Sequence, residues 1–446
     1  MLKKYSNFVN FPIYLNGNRL NTIKAVWAEQ PSTVSDETYS DFYKYIANAY
    51  DDPLDKIHYR ADAPLDIKAL FFIPSFHSEK YGMGRMEPGV SLYSRKVLIE
   101  SKSADILPEW LRFIKGVVDS EDLPLAISRE KPQDTALINK LRKALTRKII
   151  THLTKIAKKD PEKYKDEFYK EYAFFLKEGI CQDFEFQEQL SKLLYFESSK
   201  TMNGEISSLD EYISRCTPEQ KDIYFLCAPS RELAIQSPYL EAFEKAGREV
   251  IFVYTAIDDF VMANLGKYQD REIVSVDKSD IDLGDDSKEE KDEESGSTGL
   301  DDKEATEFCS WFQMTLNEKV SSCKVTTRLS SSPAVVTNNE SGAMRRMMRM
   351  VETQDGGAME GMPLAKQQVE INANHPIIAG LNAIREKEPT LAKVCAEQIF
   401  DNCLVAAGLL DDGRSMLGRL NDLLLCVVTK SDSLPEDKKG EKNETE

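Results

Sequence analysis

The order of apolar and polar residues over the first 133 positions alternates between strand and helix periods, which is the pattern of an α/β layer. A short strand is predicted from Phe11 to Leu15, because the turn sequence Asn16-Gly17-Asn18 follows it directly. Aromatic and aliphatic residues at helical spacing predict a helix around Tyr39 to Ile46. Two nearly continuous apolar runs, Ile67 to Ile73 and Leu92 to Ile99, predict buried strands.

Charged residues interrupt the second of these apolar runs, since Arg95 and Lys96 stand inside it. Adjacent strand residues point to opposite faces, so one of the two must face a polar cleft or the edge of the sheet. A solvated edge explains the pair at least as well as a cleft does. A further strand is predicted from Leu111 to Val118, in which Gly116 allows another backbone to approach closely.

The apolar period becomes helical from 134 to 207, which predicts a helical connector. Its two stripes of apolar residues are typical of packing faces: Leu137, Leu141, Leu145, Ile149, Leu153 and Ile156, then Tyr164, Phe168, Tyr172 and Phe175. Residues 208–276 return to an α/β pattern. Two short buried strands, Ile223 to Ala228 and Val250 to Tyr254, flank a helix and predict a βαβ unit.

An acidic stretch separates this part from the rest, because residues 277–302 contain twelve Asp and Glu against three Lys. Such a stretch predicts a linker between domains. A C-terminal domain with mixed helix and strand patterns is predicted from 303 to 430, and a disordered tail from 431 to 446.

Two strong helical patterns close the predicted C-terminal domain, Leu391 to Leu410 and Met416 to Val428. One pair of helices cannot bury both apolar stripes, so a second copy of the chain completing a four-helix bundle is the economical solution. We therefore predict a homodimer through these helices, with five candidate interface residues: Ile399, Cys403, Leu417, Leu420 and Leu424.

Length and charge narrow the class of protein. A chain of 446 residues suggests roughly three domains. The net charge of −17 argues against a nucleic-acid partner, because neutralising phosphates needs a basic face and we expect no basic stripe here. The sequence contains no apolar run of about 18 residues, so we predict no membrane-spanning helix.

Cysteine and histidine give no sign of a metal site. The eight cysteines include no CxxC pair, and none of the four histidines has a partner at ligand spacing. Buried thiols in a reducing compartment explain the cysteines better than disulfides do.

Chemistry-bearing residues gather after the strand that ends near Val118. Asp119, Glu121 and Asp122 form a carboxylate-rich run, and beyond it Arg129 and Gln133 lie four residues apart. If a helical turn forms there, the guanidinium and the amide project from one face and could hold a phosphate. On spacing alone, an ion pair between Arg129 and Glu121 or Asp122 at a surface turn explains the pattern better.

The sequence VVDSEDLPL, followed by SRE and a glutamine, resembles the middle domain of the heat-shock protein 90 chaperones. In that family the arginine and glutamine of this motif reach the γ-phosphate of ATP bound by a separate N-terminal domain. The resemblance implies that Arg129 and Gln133 are catalytic residues of an ATP-dependent chaperone. Ala126 and Pro132 stand where the family has asparagine and leucine, and a proline there opposes a regular first helical turn. We therefore expect this chain to support hydrolysis weakly.

Further segments resemble the same family, among them LYSRKVLI, PEW, FLKEGI, LLYFESSK, YFLCAPSR and SPYLEAF. The match through LYSRKVLI makes Arg95 a second candidate for the nucleotide or interdomain surface. FLKEGI and LLYFESSK resemble the mitochondrial branch, which implies the mitochondrial matrix, with the cytoplasm as the alternative because we find no targeting segment.

The family's ATP pocket has no counterpart in this sequence, since neither its glutamate-bearing helix nor its DxGxG loop is found. We therefore expect middle and C-terminal domains only, with no cofactor bound by this chain alone. ATP with Mg²⁺ would act only where an N-terminal ATPase domain is supplied.

A methionine-rich segment is a candidate for binding unfolded client proteins. Met344, Met347 and Met348 alternate with arginines, and methionine adapts to irregular partners. An ordinary helix under a loop explains the segment equally well. The later sequence EINANHP resembles a family signature, and its His375 is predicted to serve a turn or helix start, not catalysis.

Two functions therefore remain. The first is an ATP-dependent folding chaperone, represented by its client-binding middle and dimerisation regions. The second is a non-enzymatic client-binding or scaffold dimer without ATP turnover.

Overall fold

The computed structural model describes residues 5–9, 11–21, 23–63, 65–123, 135–279, 281, 283, 299–337, 364–410 and 412–430. Internal contacts divide the chain into two compact units: one comprises Met1–Tyr195, Ser208–Glu211 and Val261–Tyr268, and the other comprises Phe196–Ser207, Tyr212–Phe260 and Gln269–Glu446. The finer six-part division of the sequence stays a prediction.

Strands occur throughout the described residues: β1 Tyr14–Leu15, β2 Asn18–Arg19, β3 Asp55–Ala61, β4 Ile67–Ile73, β5 Gly89–Ser94, β6 Val97–Glu100, β7 Lys115–Asp119, β8 Tyr195–Ser198, β9 Ser207–Ser208, β10 Ile223–Cys227, β11 Val250–Val253, β12 Lys267–Tyr268, β13 Arg271–Ser275, β14 Val320–Val325, β15 Ala334–Thr337 and β16 Gln367–Ile371.

Helices alternate with them: α1 Asp36–Ala47, α2 Thr135–Lys159, α3 Pro161–Lys163, α4 Lys170–Gln182, α5 Gln187–Ser191, α6 Leu209–Arg215, α7 Arg231–Ile235, α8 Glu241–Lys245, α9 Ala256–Leu265, α10 Asp302–Thr315, α11 Pro376–Ile384, α12 Pro389–Ala406 and α13 Leu417–Lys430. These elements make an α/β multidomain protein, as predicted.

A mixed five-stranded sheet in the order β3-β4-β7-β5-β6 organises the first unit. The apolar run predicted as a strand is β4, which pairs antiparallel with β3 and β7, and β7 pairs parallel with β5. Gly116 lies in β7, where a Cβ atom would stand 2.3 Å from the Leu70 carbonyl oxygen. The close backbone approach predicted for this glycine is therefore confirmed.

Two predicted strands need correction. Leu92 to Ile99 is not one strand, because the chain reverses at Arg95 and Lys96 between β5 and β6. The segment from Leu111 to Ile114 is not a strand either, since a 3₁₀ turn spans Glu109–Leu111 and β7 begins at Lys115. Its apolar residues are fully buried, so their composition reflects burial and not strand geometry.

Helices fill most of the range predicted as a helical connector, although β8 and the start of β9 also lie within it. In α2 the middle of the apolar stripe is buried, from Leu141 to Leu153. A π-helical segment, Tyr164–Tyr169, follows α3 and runs directly into α4. Tyr172 and Phe175 of α4 pack on Phe113, with ring centroids 4.5 and 5.1 Å away.

The second unit contains the predicted βαβ arrangement, because β10 and β11 are parallel and α7 and α8 lie between them in the chain. In the same unit, β16 pairs parallel with β14 and antiparallel with β15. Phe308, Phe312 and Phe400 lie in the core of this C-terminal part, which includes residues from α10, α11 and α12.

Candidate functional site

The strand β7 brings a buried carboxylate to one end of the five-stranded sheet. Asp119 is its last residue and is only 3% exposed. The chain then passes through Glu121 and Asp122 towards residues 124–134, which lie outside the described residues. Arg129 and Gln133 fall in that range, so their proposed role stays a prediction, as do the effects of Ala126 and Pro132.

Arg95 and Lys96 form the two-residue turn between β5 and β6. Both have left-handed backbones, with φ of 49° and 65°. Consecutive left-handed residues make a hairpin turn of the kind usually built from Asn-Gly, and each non-glycine residue there is strained. The sequence LYSRKVLI contains no such turn signal, which explains why an unbroken strand was expected.

The Asp119 carboxylate holds this turn. Its Oδ2 atom accepts a hydrogen bond from the backbone N–H of Lys96 at 3.0 Å and another from Trp27 Nε1 at 3.0 Å. Burial raises the pKa of Asp119 above the ordinary aspartate value, against the lowering effect of these donors. The turn that presents Arg95 is thus fixed to the buried core of the unit.

Charged side chains surround the tip of the hairpin. Glu121 accepts from Lys68 Nζ at 3.0 Å, a contact that lowers the pKa of Glu121, and lies 3.9 Å from Arg95 Nε. Asp122 Oδ2 accepts from the Asp66 backbone N–H at 2.7 Å. Glu121 and Asp122, the two carboxylates that spacing alone offers as partners for Arg129, thus contact these other groups. The Arg95 side chain itself is 67% exposed, so its guanidinium is open to an anion.

Metal binding has no dedicated centre in the part of the chain that the structure describes. No group of three or more His, Cys, Asp or Glu side chains there could hold a metal ion. The carboxylates nearest to Arg95 are instead engaged with lysine, arginine and a backbone amide. The exposed guanidinium of Arg95 is therefore the group at this turn that could contact a phosphate oxygen.

The five residues predicted for a dimer interface separate into two groups. Ile399 and Cys403 are 5% and 2% exposed and belong to the core of their own unit. Leu417 and Leu424 are exposed on α13, and Leu420 is half-buried there. A free apolar face is thus found on α13.

Polar contacts fix α13 to α12. The Arg419 guanidinium donates to Asp401 and, at 3.1 Å, to Gln398 Oε1. The side of α13 that bears Arg419 therefore lies against α12, whereas Leu424 and Val428 are 61% and 73% exposed.

Among the described residues, none of the helices combines the length and the apolar composition that crossing a membrane requires.

His375 serves as the predicted helix start. Its Nδ1 atom accepts from the Ile377 backbone N–H at the beginning of α11. Its Nε2 atom lies 3.1 Å from the Ser331 carbonyl oxygen, which can only accept, so Nε2 carries the proton. The histidine of the EINANHP sequence therefore has a structural role.

The sequence did not predict the residue that binds the loop Ser330–Ser332, which lies beside His375. Glu241 of α8 accepts from the backbone N–H groups of Ser330 and Ser331 at 2.5 and 3.0 Å, and from the hydroxyls of Ser331 and Ser332 at 2.8 and 2.6 Å. Burial alone would raise the pKa of Glu241, but these four donors lower it below its ordinary value. Three consecutive serines after Arg328 were the available signal, although nothing in the sequence pointed from them to Glu241.

The methionine-rich candidate lies elsewhere. Met344, Met347 and Met348 fall within 338–363, outside the described residues, so client binding by this segment stays a prediction.

Comparison with known proteins gives the family. The family model described as "Hsp90 protein" matches residues 16–446. The chain is 46% identical over 433 residues to "TNF receptor-associated protein 1 homolog, mitochondrial" of Dictyostelium discoideum, covering 96% of this chain and 60% of that relative. It is 44% identical to "Heat shock protein 75 kDa, mitochondrial" of Rattus norvegicus, covering 96% of this chain and 61% of the relative.

A bacterial relative matches at similar identity. "Chaperone protein HtpG" of Desulfitobacterium hafniense is 43% identical over 425 residues, which are 95% of this chain and 67% of the relative. The chain thus spans about three fifths of the length of the first two relatives. A match across nearly the whole chain, on an α/β multidomain fold, shows that the chain belongs to the Hsp90 family.

Proposed function

We propose that this chain works in an ATP-dependent molecular chaperone that binds partly folded proteins and acts as a homodimer. The observation that carries the proposal is 46% identity over 96% of the chain, combined with a bacterial relative named as a chaperone. Hydrolysis itself requires a nucleotide-binding domain of the kind that the family has N-terminal to this region. We therefore assign ATP and Mg²⁺ to such a domain, and the phosphate contacts to this region.

The role of this chain towards ATP is to contact the γ-phosphate through Arg129 and Gln133. Support comes from the geometry that precedes them, because Asp119 ends a central strand and fixes the Arg95 turn at the same end of the sheet. A cationic side chain whose backbone is already fixed needs little rearrangement when negative charge develops on the transferred phosphoryl group. Arg95 is the secondary phosphate contact.

Dimerisation is assigned to the apolar residues of α13, and client binding to the methionine-rich segment with Met344, Met347 and Met348. Exposed Leu417, Leu424 and Val428 support the first assignment, since an apolar helix face of this size favours burial against a second copy. The relatives named as mitochondrial support location in the mitochondrial matrix, with the cytoplasm as the alternative.

ATP hydrolysis tests the proposal in two proteins, the chain alone and the chain joined to the N-terminal region of the D. discoideum relative. We expect no turnover by the chain alone and measurable turnover by the joined protein. Arg129→Ala in the joined protein should lower turnover by roughly two to three orders of magnitude, the scale of losing one preorganised contact to developing charge. Arg60→Ala, an exposed arginine on β3, is the matched control.

The results separate the two candidate functions. Equal rates for Arg129→Ala and the unmodified joined protein would remove Arg129 from the site. A joined protein that binds an unfolded model client and dimerises, yet hydrolyses no ATP, would support the scaffold function instead.

A further inference from the structure

The helix α2 has a charge opposite to that of the chain. The chain carries a net charge of −17, whereas the 25 residues of α2 contain eight Lys and Arg and no Asp or Glu. The expectation from net charge that the protein has no basic stripe is therefore wrong for this helix. Net charge missed it because a sum over the chain hides a local segregation of charge.

Most of these cations lie along one face. Lys140, Lys143, Arg147, Lys155 and Lys158 are exposed and recur at steps of three, four and eight residues, which places them on one side of a helix. From Lys140 to Lys158 this line is about 27 Å long at 1.5 Å per residue. We call it the α2 stripe.

Few carboxylates neutralise the α2 stripe. Glu185 pairs with Lys143 at 2.6 Å and lies 3.9 Å from Arg147. Within the described ranges, Lys140, Lys155, Lys158 and the adjacent Lys159 have no carboxylate within 4.0 Å. The C-terminal end of the stripe therefore presents uncompensated positive charge.

An apolar groove of about 250 Å³ adjoins that end. Leu54, Ile73, Ile156, Tyr164 and Phe168 line it, all within the first unit, and Lys159 stands beside them. The volume suits one bulky apolar side chain. The groove and the basic C-terminal end of the α2 stripe therefore lie side by side, between α2 and the edge strand β3.

The carboxylates of the groove are already engaged. Asp55 accepts from His152 at 2.7 Å, Glu167 lies 3.7 Å from Lys163, and Asp160 caps the turn at Pro161–Lys163 by accepting from the Lys163 backbone N–H. These contacts do not remove the carboxylate charges, so the groove lining itself has no excess of positive charge, and the excess lies on the α2 stripe beside it.

We propose that the α2 stripe and this groove bind an acidic polypeptide segment that carries one bulky apolar side chain. The side chain enters the groove, and carboxylates on about eight extended residues follow the stripe, since a strand covers 27 Å at about 3.4 Å per residue. A line one residue wide matches a single strand and not a membrane plane or a nucleic-acid duplex. At physiological salt the interaction is felt over about 8 Å, so a short segment experiences the stripe and not the net negative charge.

Fluorescence anisotropy with this chain tests the proposal. The probe is a labelled ten-residue peptide of alternating Glu and Ser that ends in Phe, compared with the same peptide ending in Ala and with one in which Gln replaces Glu. We expect the Glu–Phe peptide to bind most tightly, with the affinity falling as NaCl rises. Replacing Phe by Ala should weaken binding about tenfold, the scale of losing one buried aromatic side chain.

Two variants locate the site. Lys155→Glu with Lys158→Glu and Lys159→Glu should weaken binding of the Glu–Phe peptide at least tenfold, whereas Lys24→Glu with Lys221→Glu and Lys324→Glu, a control of equal charge change at exposed positions, should change it less than twofold. Ile156→Trp fills the groove and should make the Phe and Ala peptides bind equally. Melting curves must show that each variant is folded.

Either of two results would overturn the proposal. One is equal loss of binding in the triple variant and its control. The other is tighter binding of anionic phospholipid vesicles or of a DNA duplex than of the Glu–Phe peptide, which would assign the stripe to a different polyanion. The test needs no ATP, so its failure would leave the proposed chaperone function standing.

Discussion

Asp119 Oδ2 lies 3.0 Å from Trp27 Nε1, although the two residues are 92 positions apart in the chain. Both side chains are buried, at 3% and 0% exposure. The indole is the link between the aromatic core of the first unit and the end of β7. Removing its N–H would leave a buried carboxylate with one donor fewer, which is costly because water cannot replace it.

Trp27→Phe should therefore lower the free energy of unfolding by about 1 to 3 kcal/mol more than Trp110→Phe does. Trp110 is the matched control, since it is also fully buried but its Nε1 atom has no hydrogen-bond partner. Urea unfolding followed by circular dichroism measures both. Equal losses would show that the Trp27–Asp119 hydrogen bond contributes nothing beyond packing.

Lys96→Asn should stabilise the protein, because asparagine tolerates the left-handed backbone at this turn better than lysine does. The gain should be about 1 kcal/mol, since the Lys96 hydrogen bond to Asp119 comes from the backbone and survives the change. Lys96→Ala keeps the strain and serves as the control. A melting temperature raised equally by Asn and Ala would mean that the gain has another cause.

His58 should make stability depend on pH. Its Nε2 atom donates to the Trp27 carbonyl oxygen at 3.1 Å, and its Nδ1 atom lies 2.7 Å from the Tyr39 hydroxyl, which can donate to a neutral ring. Burial lowers the pKa of His58 below its ordinary value of 6.5. The stabilisation is therefore fully present above pH 6.5 and is lost as pH falls below it.

The measurement is the difference in unfolding free energy between the unmodified chain and His58→Gln from pH 8 to pH 5. This difference should shrink as the pH falls, because glutamine does not titrate. A difference that grows instead would mean that the ring is charged in the folded state.

Glu241→Gln should loosen the loop of Ser330, Ser331 and Ser332, since an amide nitrogen cannot accept the hydrogen bonds that a carboxylate oxygen accepts. We expect a loss of about 1 to 3 kcal/mol in stability and faster hydrogen exchange at the Ser330 and Ser331 amides. Glu244→Gln, exposed on the same helix, is the control. Unchanged exchange at both amides would contradict the assigned role of Glu241.

Leu424→Asp should convert a dimer into monomers, because it places a charge in the apolar face of α13 that is proposed to be buried between two copies. Sedimentation velocity measures the change. Thr429→Asp adds the same charge at an exposed position about 140° around the helix from Leu424 and should leave the dimer intact. A dimer that persists in Leu424→Asp would place the interface elsewhere.

Much of the fold could be predicted, because continuous apolar runs such as Ile67–Ile73 and long stripes such as that of α2 carry strong periodic signals. The Arg95–Lys96 turn could not, since its residues are held left-handed by Asp119, a contact with a distant part of the chain. The hydrogen bonds from the serine loop to Glu241 could not be predicted either, because these residues are 89 to 91 positions apart in the chain. Ile399 and Cys403 fit a dimer stripe by spacing, but only packing shows that their own unit buries them.

The π-helical segment Tyr164–Tyr169 sets the rotation of α4 about its axis. Such a segment holds extra residues compared with an α-helix, and each residue turns the chain by about 100°. Deleting one residue there would rotate α4 so that Tyr172 and Phe175 leave the ring of Phe113. The number of residues in this segment is therefore as constrained as their identity, and insertions or deletions should be tolerated in the surrounding turns before they are tolerated here.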